Sequence, residues 1–232
     1  MNSYRKTARI VGVLFITAMV TGMLRYFILD PILDAPDYLI NVSTNESQVI
    51  IGVLFFYIMA VAVVGIAIVI YPILKKHNEA LALGYVAARI VEGVLFLVAI
   101  LAILTLWTLS QEFVKAGAPD ASYLQAAGEL LLAVRYWAYN VLWPITLSLG
   151  ALMFYYLLYQ SKLIPRWLSV WGFIGAILFP VAWLSLFGPT ISGPFLLPLV
   201  VNEVVLAVWL IVKGFSPSAI ASGSGNTDIN EV

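Results

Sequence analysis

The sequence predicts an all-α membrane protein: a six-transmembrane-helix bundle with both termini cytoplasmic. Three observations carry that expectation. Of the 232 residues 62% are hydrophobic and 10% charged, against about 45–50% and about 25% in a soluble domain, so there is too little polar side chain to cover a water-facing surface. Six apolar runs each reach the roughly 20 residues that a helix needs to cross a hydrocarbon layer of ~30 Å. The basic residues collect at one set of connections between those runs. A disordered chain is excluded by the same composition, and a nucleic-acid partner by twelve Lys/Arg set against twelve Asp/Glu.

The runs are 8–29, 49–74, 81–109, 133–159, 167–187 and 194–212. Backbone groups find no water in lipid, so each run must bond to itself as a helix; the alternating ten-residue strands of a barrel are absent. The first run follows Arg5, Lys6 and Arg9 but lacks a small-x-small cleavage site, and it reads as a retained anchor. Asp30-Pro31 and Pro36 are expected to break it, opening an outer loop over 30–48. Asn41-x-Ser43 and Asn45-x-Ser47 match a glycosylation pattern in that loop, a pattern that matters only in a eukaryotic secretory pathway. A second outer connection covers 110–121, where Pro119-Asp120 and Ser122-x-x-Gln125 read as a capping box opening a long helix near Ser122. Residues 1–215 form one transmembrane domain in this reading, and the Gly/Ser-rich 216–232 a disordered cytoplasmic tail.

Orientation follows from counting cations. Arg5, Lys6, Arg9, Lys75, Lys76, Lys162, Arg166 and Lys213 fall at one set of ends, whereas the opposite connections hold Asp30, Asp34, Asp37, Glu46, Glu112 and Asp120 with Lys115. Tyr155, Tyr156, Tyr159, Trp167 and Trp171 would anchor the cytoplasmic interface, Trp107 and Trp183 the outer one.

The residues that should be expensive in lipid are the informative ones. Arg89 and Glu92 stand three apart on one helical face, about 12 and 16 Å into the third span. Asn202-Glu203 falls midway along the sixth. A mid-span Arg or Asp costs about 2.5–3.5 kcal/mol even on the gentlest scale, so these groups must face the bundle interior. Two readings stay open. In one, Arg89 pairs with Glu92 or Glu203 and locks the third and sixth spans together, while Arg25 and Arg135 snorkel to the outer interface. In the other, one arginine faces two carboxylates, and Glu92 or Glu203 is a proton or cation site. Arg135, and Asn140 in a stripe with Tyr136 and Pro144, complete the candidate polar site of Arg89, Glu92, Asn202 and Glu203. Pro144 would loosen the fourth helix there.

Several chemistries lack their residues. The sole histidine, His77, lies in the turn KKHNEA, and there is no cysteine, which leaves no metal site, no thiol catalysis and no haem ligation. No phosphate loop is present. No cofactor, no catalytic group and no nucleic acid is expected; the partners are the bilayer and a small-molecule or ion ligand, and nothing in the sequence fixes an oligomeric state. A membrane accessory or sensor protein with purely structural charges is the alternative. Gly84-x-x-x-Ala88 and Gly172-x-x-x-Ala176 are small-residue spacings that permit close helix contacts.

Four stretches carry a family resemblance: ARIVGVLFI, YPILKKHNEALALGYVAARIVEGVL, LLYQSKLIPRWLSVWGFIGAIL and NEVVLAVWLIVKGF. Their order and their Arg-x-x-Glu, SKLIPRWLSVWG and sixth-span Glu resemble a bacterial and archaeal integral membrane protein family of unknown function, domain of unknown function family 4386. The resemblance covers about 8–215 and implies six spans in a prokaryotic plasma membrane. It implies no substrate and no site residues.

Overall fold

The structure, a computed structural model, describes residues 3–116, 122–183 and 189–218. Among them the chain is helical with no strand. The helices are α1 (Ser3–Leu33), α2 (Tyr38–Thr44), α3 (Glu46–Leu74), α4 (Glu79–Ala116), α5 (Ser122–Tyr136), α6 (Trp143–Ser161), α7 (Arg166–Trp183) and α8 (Pro189–Val212). Five helical stretches are long and apolar enough to cross a membrane, α5 and α6 counting as one. The fifth predicted run falls on α7, whose described apolar stretch, Arg166–Val181, is shorter. Its expected end at 187 lies outside the described residues, as do Pro119, Asp120 and the tail beyond 218.

Large apolar side chains face outward along these helices, with Phe27 65%, Leu101 62% and Leu130 70% exposed. Arg25, Arg89, Glu92, Arg135 and Asn202 are buried. That inside-out distribution is what lipid demands and water would penalise.

Two local expectations are corrected. Asp30-Pro31 does not end α1, which runs on to Leu33. A proline in the last turn forfeits one backbone bond without a following helix to disrupt, and the Asp34 N–H still reaches the Asp30 carbonyl at 2.9 Å. The segment 30–48 is not a plain loop: it folds as α2 and the start of α3, which puts Asn41 inside a helix. α5 begins at Ser122, where the long helix is expected to open, and residues 117–121 before it lie outside the described residues.

Between α5 and α6 the helix widens into a π-helical turn, Trp137–Leu142, in which the Trp143 N–H reaches back five residues to the Ala138 carbonyl. Pro144 accounts for it. Its ring has no N–H to give and would collide with the Asn140 carbonyl in a regular α-turn, so the turn takes in an extra residue. The expected loosening of this helix is therefore observed, and the spacing-four stripe through Tyr136, Asn140 and Pro144 is not kept.

The chain divides into two compact units. One comprises the described residues up to Ile16, Ala62–Glu92 and those from Pro144 onward; the other comprises Thr17–Val61 and Gly93–Trp143. In the first unit small residues set the helix contacts, as the glycine spacings predict. Gly84 packs under Met153, Gly150 against Ala88, and Gly172 beneath the Tyr155 ring. At Gly175 a Cβ would fall 2.8 Å from the Leu199 backbone nitrogen of α8, whereas at Gly65 it would meet the Leu14 side chain, no nearer than 3.4 Å. Gly175→Ala should accordingly destabilise the protein by about 1–3 kcal/mol, because a backbone cannot step aside as a side chain can. Gly65→Ala should be neutral or stabilise by roughly 0.5–1 kcal/mol through helix propensity. Thermal melting of the two variants in one detergent checks this, and equal melting temperatures would refute the close α7–α8 approach.

Candidate functional site

In the first unit the predicted polar residues gather around one guanidinium. Arg89 Nη1 donates to Glu92 Oε2 at 2.8 Å, one helical turn further along α4. Arg89 Nη2 lies 4.0 Å from Glu203 Oε1 on α8, an ion pair too long for a hydrogen bond. The guanidinium carbon also sits 5.5 Å over the ring of Tyr85, one turn earlier on α4. Tyr85 in turn stacks on Phe154 of α6 at 4.8 Å between centroids. The side chains of Arg89 and Glu92 are 4% and 2% exposed, that of Glu203 18%. One arginine thus faces two carboxylates, holding one tightly and the other loosely.

Asn202 is completely buried and points elsewhere, because successive helical residues turn by about 100°. Its Nδ2 donates to the Leu168 carbonyl of α7 at 3.0 Å, which ties α7 to α8. Several buried polar atoms around these helices have no hydrogen-bond partner among the described residues: Arg89 Nε, the Tyr155 hydroxyl, Asn202 Oδ1 and Ser169 Oγ. The Tyr85 and Tyr155 rings lie within electrostatic reach of Arg89 and Glu203. Sequence reasoning missed both tyrosines. Tyr85 stands four residues before Arg89, a legible helical neighbour, but Tyr155 reads as an interfacial anchor and is instead 1% exposed. The signal for its burial was Gly172, small enough to admit the ring.

A family model matches residues 10–214. The chain belongs to the family described as Domain of unknown function (DUF4386). No curated protein and no solved structure matches it. The DUF4386 match takes in every residue of the Arg89 cluster and both arginines described next.

Arg25 and Arg135 do not snorkel; they belong to the second unit and share a carboxylate inside it. Arg25 Nη2 donates to both Asp30 oxygens, at 2.8 and 3.1 Å, and Arg135 Nη2 donates to Asp30 Oδ1. Arg135 Nη1 reaches Asp34 Oδ1 at 3.2 Å. Arg25 is sandwiched between rings, 4.9 Å from the Phe56 centroid and 4.4 Å from that of Tyr139. Snorkelling fails because the carboxylate partner comes to the arginine: α1 continues past Pro31 and carries Asp30 and the following Asp34 with it. Arg135 thus pairs within the second unit, and Asn140 lies half-buried in the π-helical turn.

His77 sits half-buried in the turn between α3 and α4, where burial first, and Lys76 beside it second, hold its imidazole below the usual value. Among the described residues no three His, Asp or Glu side chains gather as a metal site.

Proposed function

We propose that this DUF4386 protein binds a proton or another small cation at Glu203, within a membrane-embedded bundle, and carries or senses it there. The observation that supports this is the inequality of the two carboxylates. Glu92 is sealed against Arg89 at 2.8 Å, while Glu203 stands at 4.0 Å and keeps the greater exposure. One guanidinium balances one carboxylate, so the second has capacity for a single positive charge. The Tyr155 hydroxyl, without a hydrogen-bond partner among the described residues, adds an oxygen atom suited to such a guest. The full reading has six spans with both termini cytoplasmic, in a prokaryotic plasma membrane; the basic ends at Arg5, Lys76, Lys162 and Lys213 support that orientation.

A ligand that binds only the folded state raises its apparent stability. Purified full-length protein melted against Na+, K+ and a pH series should therefore respond to one of these cations, and Glu203→Gln should keep the fold but lose the response. A wild type indifferent to all three, or an unchanged response in Glu203→Gln, overturns the reading. The sealed Arg89–Glu92 pair favours a second one, a membrane accessory protein whose charges only fasten helices. A Glu203→Gln chain that fails to assemble supports that alternative.

A further inference from the structure

The ends of α6, α7 and α8 enclose an open pocket of about 540 Å³ that the Glu203 reading does not use. Among the described residues its lining includes Lys162, Arg166, Trp209, Lys213 and Phe215, and no carboxylate side chain. Among the described residues none of its three cations has an ion-pair partner. Lys162 holds a left-handed backbone (φ 55°), a conformation that favours glycine, yet it places a cation at the pocket wall. Across from it Gly214 takes φ 76° as α8 ends, and the Ser216 N–H donates to the Leu163 carbonyl at 2.9 Å, closing the wall. Arg166 is braced over the Tyr159 ring at 5.1 Å.

Lysines at helix C-termini also offset the helix dipole, and Lys162 and Lys213 do so for α6 and α8. That role requires neither a concave wall nor a third cation, Arg166, at the opposite end of a helix. Three cations around an open, concave space whose described lining holds no acid match a phosphate anion. Beside the pocket, α7 and α8 expose Trp167, Val170, Val208 and Val212, an apolar surface of the kind that acyl chains cover. We propose that this pocket holds the phosphate headgroup of an anionic lipid, with the acyl chains lying on α7 and α8. The proposal is independent of the Glu203 reading.

Full-length protein in a neutral detergent tests it with three additions: short-chain phosphatidylglycerol, short-chain phosphatidylcholine and inorganic phosphate. Phosphatidylglycerol should raise the melting temperature by several degrees and remain bound in native mass spectrometry, and the other two should not. Lys162→Gln/Arg166→Gln/Lys213→Gln should lose that increment while melting like wild type without lipid. Each single replacement at these exposed side chains should lose part of it, so the test survives a misfolded triple variant. Lys6→Gln/Lys75→Gln/Lys115→Gln, which removes equal charge elsewhere, should retain it. An equal response to both lipids, a full response to phosphate alone, or an equal loss in the second triple variant overturns the proposal.

Discussion

Asp30→Asn is expected to cost the folded protein about 3–5 kcal/mol, the effect of leaving buried charge without its partner. Both guanidiniums of the second unit converge on this carboxylate, and Arg25, with no exposed surface, has no other carboxylate in its ion pairs. The rings of Phe56 and Tyr139 around Arg25 stabilise a cation but do not replace an acceptor. Asp34 serves as the internal comparison. Its side chain is 66% exposed and it bonds Arg135 alone, so Asp34→Asn should cost less than about 1 kcal/mol. Melting curves in detergent give the ranking directly. Similar losses for the two variants would mean that Asp30 does not hold the cluster.

The second large effect is expected at Arg89. Arg89→Met leaves Glu92, 1% exposed, and Glu203 in the same interior without the cation that both face. A loss of about 3–5 kcal/mol, seen as poor accumulation or a depressed melting temperature, should follow. Removing Glu92 as well should reverse most of it, because replacing a buried pair by apolar side chains is often neutral or even stabilising by about 1–4 kcal/mol. The informative comparison is therefore Arg89→Met against Arg89→Met/Glu92→Met. A double variant no more stable than the single one would show that the 2.8 Å contact does not govern packing in this unit.

The apolar runs were legible because lipid leaves the backbone one economical solution, and run length reports it directly. Arg89, Glu92 and Glu203 were legible for the related reason that charge in such a run has few places to go. Pro31 misled because a proline signals the end of a helix only where turns follow it to be broken, and Pro31 already stands in the last turn of α1. Asp30 and Asp34 looked like solvated loop residues for the same reason. Nothing in a one-dimensional pattern places Arg135 against Asp30, 105 residues away. Tyr155 was hidden by its neighbours: Tyr156 and Tyr159 are exposed as an interfacial belt requires, and only the rotation of one residue separates them from the interior.

The wide turn at Trp137–Leu142 leaves the α5–α6 rod one residue out of phase with a regular screw. Rewinding that turn as a regular α-helix with every residue kept would swing Arg135 by about 100° relative to Trp143. Arg135 would then lose its aim at Asp30 even though its own neighbours were untouched. The surplus residue is in that sense an angular spacer, and a proline two steps beyond it sets the azimuth of an ion pair formed on the far side of the turn.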